Sequence, residues 1–164
     1  ALAAQALANG DARLFQVYSN STTKVTSLGF GAGVSKKIYK DFEFGANYNY
    51  AQFDYNESED PSFISYFNTP KHRVKASLGN AKLFKNFGFN LNARWSDEYK
   101  WESSFADGTI PSVTVFDAQI SYAIPYLKSV IKASGSYIGG NDYLQVVGAG
   151  RIGQQWLLSW TINP

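Results

Sequence analysis

The fold class is decided by Phe87-Gly88-Phe89-Asn90-Leu91-Asn92-Ala93-Arg94-Trp95-Ser96, a stretch in which apolar and polar residues alternate. An extended backbone with this sequence carries apolar side chains on one face and polar side chains on the other. A helix would instead repeat its apolar positions about every 3.6 residues. The stretch therefore predicts a β-strand with two unlike faces.

The same alternation recurs along most of the chain and predicts further strands. The strands are Ser27–Ser35, Phe42–Tyr55, Arg73–Gly79, Phe87–Ser96, Phe116–Ile124, Ile131–Tyr137 and Gln155–Ile162. The phase of the pattern slips near Ala51, where we expect a β-bulge. Residues 1–22 are expected to form an extracellular loop or a partial strand with a short helix over Ala1–Gly10. An eighth strand is an open alternative at Leu14–Tyr18.

Short and long connections alternate between the predicted strands. The short links are Lys36–Asp41, Asn80–Asn86 and Pro125–Ser129, and the long loops are Asn56–Pro70, Asp97–Thr114 and Ile138–Gln154. This order places the short links at one end of a sheet and the long loops at the other, as in an antiparallel meander. Outer-membrane barrels share the asymmetry, with short periplasmic turns and long extracellular loops. We therefore predict an all-β, antiparallel up-and-down transmembrane β-barrel over residues 23–164.

The predicted apolar faces carry no Asp, Glu, Lys or Arg, whereas several charged residues lie on the polar faces. These residues are Glu43, Arg73, Lys75, Arg94, Asp117 and Lys132. A charge facing lipid at the bilayer midplane costs about 2–4 kcal/mol, so a membrane requires a charge-free face. Aromatic residues make up 16% of the chain and gather near the predicted strand ends, as in the girdles of outer-membrane barrels. A soluble lipocalin-like barrel also alternates and stays the alternative.

Composition excludes several other classes of protein. The chain has 45% hydrophobic and 17% charged residues, a net charge of +2 and no Cys. It is too apolar for a disordered chain, it has no disulfides, and its charge does not suggest nucleic-acid binding. No apolar run approaches the ~18 residues of a transmembrane helix. Because the chain starts at Ala1 and contains no Met, we expect it to be part of a longer protein.

We expect no enzyme, no cofactor and no metal centre. A hydroxyl nucleophile is commonly activated by a histidine, and His72 is the single histidine of the chain. A metal would have to use loop carboxylates, and we interpret the cluster Glu57, Glu59 and Asp60 as a solvated acidic loop. Gly148–Gly153 matches a dinucleotide-binding fingerprint, but it leads into a predicted strand rather than the helix that such a site needs.

Two roles are open for the charges on the polar faces. The cations and carboxylates can neutralise one another in ladders across neighbouring strands, or they can bind the part of the protein that fills the lumen. Binding a translocated anion is the sharper alternative.

Several segments, in this order and spacing, resemble one known family. They are Asn68–Val74, Asn86–Asn90, Trp101–Gly108, Phe116–Tyr122 and Gly139–Tyr143, the last leading to Ile152-Gly153. From Thr23 to Ile162 the chain resembles the C-terminal barrel strands of TonB-dependent receptors, in the variety with a carboxypeptidase-like regulatory domain at the N-terminus. The ending Trp160–Pro164 departs from the terminal aromatic residue usual in outer-membrane barrels.

The resemblance implies a barrel of about 22 strands, of which this chain would supply seven or eight. It implies a place in the outer membrane of a Gram-negative bacterium and energised uptake of a nutrient of the siderophore, glycan or peptide class. The implied partners are outer-membrane lipids, the remaining strands, a plug domain that contacts TonB, and a surface lipoprotein lid. The charges on the polar faces would contact the plug.

The long loops are where we expect ligand or partner contacts. Their aromatic residues are expected to be exposed, where they can stack on a ligand or a lid. These residues are Phe63, Tyr66, Phe67, Tyr99, Trp101, Phe105 and Tyr143. The alternative from another class is a stand-alone eight-stranded outer-membrane barrel with a structural or adhesion role, which requires Leu14–Tyr18 to span the membrane.

Overall fold

The structure, a computed structural model, describes residues 20–56, 58–60 and 63–162. The helix expected in Ala1–Gly10 and the eighth strand considered at Leu14–Tyr18 lie outside the described residues.

The chain divides into two compact units. The larger unit comprises Val25–Asp54 and Ile64–Pro164, and the smaller comprises Ala1–Lys24 and Tyr55–Phe63. In the smaller unit, the Ser21 hydroxyl donates a hydrogen bond of 2.8 Å to Asp60 Oδ2. The rings of Tyr55 and Phe63 also meet edge to face there, with centroids 5.3 Å apart.

The larger unit is built on β-strands, as the alternation predicts. Its strands are β1 (Thr26–Lys37), β2 (Glu43–Asp54), β3 (His72–Phe84), β4 (Phe87–Ser96), β5 (Tyr99–Trp101), β6 (Gly108–Ile110), β7 (Val113–Ile124), β8 (Ser129–Ser136) and β9 (Gln155–Ile162). One antiparallel sheet of 7 strands has the order β1-β2-β3-β4-β7-β8-β9, and β5 and β6 form a separate small hairpin. The all-β class and the antiparallel up-and-down order are confirmed. The β5–β6 hairpin lies inside the predicted loop Asp97–Thr114, and the sequence pattern does not predict it.

One connection is tighter than predicted. β3 continues to Phe84, which pairs with Phe87, so the expected link Asn80–Asn86 shrinks to the two residues Lys85 and Asn86. Lys85 adopts a left-handed conformation with φ 43°. Two-residue hairpin turns require such conformations because their twist matches that of the strands.

The prediction of a bulge near Ala51 is wrong. β1 and β2 pair in an unbroken register from Thr26 to Lys37, and the register shifts between Asn80 and Phe84 of β3 instead. The slip in the sequence pattern has another cause. Phe53 is apolar although it lies on the polar side of β2, and there its ring stacks on Phe67 with centroids 4.2 Å apart.

The registers confirm two unlike faces of the sheet. One face carries the row Phe44, Leu78, Leu91 and Ala118, and the other carries the row Asn47, Lys75, Arg94 and Val115. We call them the apolar face and the polar face. The charges predicted for the polar face all lie on it. Two charged residues of β1 and β2, Lys36 and Asp54, lie on the same side of the sheet as the apolar residues. Both are near the ends of their strands.

The apolar face is exposed, and the described residues form almost no core. Their buried hydrophobic side chains are Ile110, Val115 and Tyr137. The exposed apolar residues of the sheet include Phe30, Val34, Phe116, Ile120, Trp156, Trp160 and Ile162. Even Leu91, midway along β4, is 46% exposed, and Leu158 of β9 is 74% exposed. A face of this extent is unfavourable in water, at about 25 cal/mol per Å² of apolar surface, and it requires lipid or protein against it.

The sheet of the larger unit is open. Its first and last strands, β1 and β9, do not pair with one another within the described residues. An open edge presents unpaired backbone N–H and C=O groups to further strands. None of the described residues belongs to a helix long and apolar enough to cross a membrane.

Candidate binding site

Three loop segments lie at one end of the sheet, opposite its tight turns. Loop 1 is residues 64–70, before β3; loop 2 is residues 97–112, between β4 and β7; loop 3 is residues 137–154, between β8 and β9. In an up-and-down sheet, connections between alternate strand pairs emerge at the same end. The topology therefore brings the three loops together.

Loop 1 is fastened to loop 2 by Glu102. Its carboxylate oxygen Oε2 accepts hydrogen bonds from the Ser65 N–H at 3.0 Å, the Ser65 hydroxyl at 2.5 Å and the Tyr66 N–H at 3.2 Å. Its other oxygen, Oε1, lies 2.7 Å from Lys100 Nζ. Asn68 adds a reciprocal pair, because its Oδ1 accepts from the Glu102 N–H at 2.7 Å and its Nδ2 donates to the Glu102 carbonyl at 2.9 Å. We call this set of five residues the Glu102 latch.

The carboxylate of the latch is buried and ionised. Glu102 is 7% exposed, and burial by itself raises the pKa of its carboxyl group. The hydrogen bonds from Lys100, Ser65 and Tyr66 outweigh burial and hold the pKa below its ordinary value. Glu102 is therefore charged at neutral pH, and charge-assisted hydrogen bonds hold loop 1 in place.

Loop 3 packs on itself and against loop 2. Tyr143 and Ile152 exchange backbone hydrogen bonds of 3.0 and 2.8 Å, and the Tyr143 ring meets the Tyr137 ring with centroids 4.7 Å apart. At the contact with loop 2, a side-chain carbon at Gly108 would stand 3.2 Å from Val147. The glycine lets the Val147 side chain pack directly against the backbone of loop 2.

A cavity of about 280 Å³ lies between these loops and the polar face. Arg73, Lys75, Arg94 and Val115 line it from the sheet, and Asn68, Tyr99, Ile110, Tyr143 and Gln145 line it from the loops. Burial raises the pKa of Tyr99, which lines the same cavity as the cations. The cavity thus combines cations, neutral polar groups and aromatic rings, which is the make-up of a small-ligand site.

The cations of the cavity are close neighbours on the sheet. Lys75 and Arg94 occupy directly opposed positions of β3 and β4, and Arg73 lies two positions before Lys75 on the same face. Like charges in directly opposed positions repel each other. Among the described residues, the ion pair found for these three cations is Arg94 Nη2 with Asp117 Oδ2, at 3.9 Å.

Asp117 is engaged elsewhere as well. Its Oδ1 accepts hydrogen bonds from the Ser136 hydroxyl at 2.5 Å and from the Tyr137 N–H at 3.1 Å. Tyr137 is buried and has a positive φ of 57°, a conformation that needs support from its surroundings. Asp117 therefore stabilises the start of loop 3 and compensates the cationic cluster only in part.

The polar-face charges form one ion pair within the predicted set, and their role stays a prediction. Asp117 pairs with Arg94 as expected, whereas Glu43 pairs at 3.2 Å with Lys37 of β1, a residue outside the predicted set. Lys132 stands between Ser121 and Ser159 and forms no ion pair with another described residue.

The loop aromatic residues are less exposed than expected. Tyr66 is 46% exposed and Phe105 is 73% exposed. The others, Phe63, Phe67, Tyr99, Trp101 and Tyr143, are half-buried, and Phe63 belongs to the smaller unit. Packing explains two of them, because Phe67 stacks on Phe53 and Tyr143 meets the ring of Tyr137. Contact of these residues with a ligand or lid stays a prediction.

Sequence reasoning misses Glu102 as the residue that fastens the loops. Its partners Ser65 and Asn68 are 37 and 34 positions away, so no local pattern shows the contact.

The glycine-rich segment and the acidic cluster are the two motifs that remain. Gly148–Gly153 leads into β9, as predicted, and not into the helix that a dinucleotide site needs. The described residues hold no group of three His, Cys, Asp or Glu side chains placed to bind a metal, and Glu57 of the acidic cluster lies outside them.

Comparison with known proteins adds no family to this picture. No protein-family model matches the chain, and no curated protein matches it significantly.

Proposed function

We propose that this chain is the C-terminal barrel portion of a TonB-dependent outer-membrane receptor and serves energised uptake of a nutrient. The observation that carries the proposal is the exposed, apolar face of a seven-stranded up-and-down sheet. Such a face is unfavourable in water but is covered by lipid in a bilayer. The Gly, Ser and Asn residues of the polar face suit a water-filled lumen.

A soluble lipocalin-like barrel fits these observations less well. Such a protein buries its apolar side chains in its interior. Here Trp156, Leu158 and Trp160 of β9 are all more than half exposed. These large side chains, two of them indoles, instead suit a lipid-facing strand with aromatic residues at the interfaces.

We assign a proposed partner to each surface of the sheet. Outer-membrane lipids cover the apolar face, and the open edges of β1 and β9 pair with the remaining barrel strands. The polar face contacts a plug domain that couples to TonB. The three loops lie on the outer side of a Gram-negative outer membrane, where they meet the nutrient, of the siderophore, glycan or peptide class, and a surface lipoprotein lid.

The test uses the complete product of the gene that encodes this chain. It is expressed with and without TonB, the outer-membrane fraction is isolated, and its migration in SDS gels is compared before and after heating. Folded outer-membrane barrels resist SDS until they are heated, so we expect a heat-dependent shift. We also expect nutrient uptake that is lost when TonB is removed.

Each other outcome contradicts the proposal in a definite way. A folded, heat-sensitive monomer no larger than the 18.2 kDa of this chain would favour a stand-alone small barrel. A protein that stays in solution without detergent would favour a soluble barrel. Uptake that persists without TonB would rule out an energised receptor.

A further inference from the structure

We propose that the cavity beneath the loops binds an anionic monosaccharide through Arg73, Lys75 and Arg94. This inference deepens the proposed function, on which it rests, by naming the chemical class of the cargo or of one unit of it. The general recognition feature is an oxyanion, a carboxylate or a phosphate, attached to a sugar-sized ring.

The first argument is electrostatic. The three cations share one face, with Lys75 and Arg94 directly opposed. In the described part of the chain, the ion pair found for them joins Arg94 Nη2 to Asp117 Oδ2 at 3.9 Å. That carboxylate, Asp117, also holds Ser136 and Tyr137. Opposed cations cost folding free energy unless an anion joins them, so the cavity is preorganised for a negative group.

The second argument is the position of the cluster. Arg73 is the second residue of β3, and Arg94 lies two residues before the end of β4, so both stand at the loop end of the sheet. The cavity around them is lined from above by Asn68, Tyr143 and Gln145 of the loops. A ligand that enters through the loops therefore reaches these cations before it reaches a plug deeper in the lumen.

The third argument is size and chemistry. A cavity of about 280 Å³ is close to the lower limit of ligand pockets and has room for a single sugar ring. Guanidinium groups bind carboxylate and phosphate in a bidentate manner. The amide of Gln145 can bond ring hydroxyls, and the rings of Tyr99 and Tyr143 offer apolar surface to a sugar face.

The test measures binding by titration calorimetry to the complete gene product, folded in detergent. The probes are glucuronate, glucose 6-phosphate and glucose, which share a ring and differ in charge. We expect at least one charged probe to bind about ten-fold or more tightly than glucose, since one charged hydrogen-bonded contact contributes about 1.5–3 kcal/mol. The comparison of the two charged probes decides between carboxylate and phosphate.

Matched variants locate the site. Arg73→Gln and Lys75→Gln should each weaken the preferred charged probe about ten-fold without changing glucose binding. Lys132→Gln removes a cation from the same face but outside the cavity lining, and it should leave all probes unchanged. Heat-dependent migration of each variant confirms that the barrel is folded.

Three results would overturn the inference while leaving the receptor proposal intact. One is equal affinity for glucose and both charged probes, or no binding of any probe, by a protein that migrates as a folded barrel. Another is an equal loss from Lys132→Gln, which would indicate a general charge effect. The third is a drop in the unfolding midpoint of Lys75→Gln with unchanged probe affinity, which would assign the cations to docking the plug.

Discussion

At the scale of single residues, Glu102 is the side chain on which the arrangement of the loops depends most. It is 7% exposed, and Ser65 and Tyr66 donate three hydrogen bonds to one of its oxygens. Because each hydrogen bond to a charged group is worth about 1.5–3 kcal/mol, the latch sets how often loop 1 opens. Removal of the latch should therefore increase the opening of loop 1 and leave the strands unchanged.

We expect Glu102→Gln to raise hydrogen exchange in residues 64–70 about ten-fold or more. The substitution keeps the shape of the side chain but removes the charge that Lys100, Ser65 and Tyr66 bond. Exchange is measured by mass spectrometry on the folded protein. Glu98→Gln, the same change at an exposed position of loop 2, is the control and should leave this exchange unchanged. Equal rates in the two variants would show that the latch does not hold loop 1.

The charge of Glu102 also makes the latch depend on pH. Its pKa in the folded protein is lowered, so the latch contributes its full stability above the unfolded-state pKa of about 4.3. The contribution is lost as the pH falls from there through the lowered folded-state pKa. We expect protection of the Ser65 and Tyr66 amides, relative to unstructured peptides, to stay constant from neutral pH to about pH 5 and to fall in stronger acid. Glu102→Gln should lack this acid-dependent step, and its persistence would point to another titrating group.

At the scale of strands, the pairing of β8 with β9 depends on the missing side chain of Gly135. Gly135 lies opposite Trp156, and a carbon added there would stand 2.6 Å from Trp156 Cζ3. We expect Gly135→Ala to lower the free energy of unfolding by about 1–3 kcal/mol, because the indole must move away. Urea unfolding of the protein folded in detergent measures the change.

A second glycine provides the control for this substitution. A methyl group at Gly150 would have no heavy atom within 4 Å, and Gly150 has no positive φ, so Gly150→Ala should change stability by less than about 0.5 kcal/mol. Trp156→Leu in the Gly135→Ala background should recover part of the loss. If both alanine variants behave alike, crowding against Trp156 is not what restricts this position.

The strands also show what the sequence can and cannot predict. Alternation is imposed on each strand by its own two faces, so β4 and β7 could be assigned from their residues alone. The β5–β6 hairpin could not, because three-residue strands are too short to show a period. The same limit applies to the site. The cations of the polar face follow from alternation, whereas the contact of Glu102 with Ser65 joins loops that are adjacent only after folding.

At the scale of the whole molecule, the apolar face and the polar face require different surroundings. Leu91 and Asn92 are neighbours in the middle of β4, yet Leu91 stands in an apolar row with Leu78 and Asn92 in a polar row with Ser77. If lipid covers the apolar face, a charge at Leu91 meets hydrocarbon, whereas a charge at Asn92 meets the lumen. The two positions therefore form a matched pair for testing membrane insertion.

We expect Leu91→Arg to lower the free energy of unfolding in lipid vesicles by about 2–4 kcal/mol and Asn92→Arg to change it by less than about 1 kcal/mol. Leu28→Arg near the loop end of β1 should fall between them, because the cost of a lipid-facing charge declines toward the interface. Reversible urea unfolding in vesicles measures all three. A protein partner on the apolar face would also penalise Leu91→Arg, but it imposes no decline with distance from the strand centre. Equal losses at Leu91 and Leu28 would therefore assign the face to protein packing, and a graded loss would assign it to the bilayer.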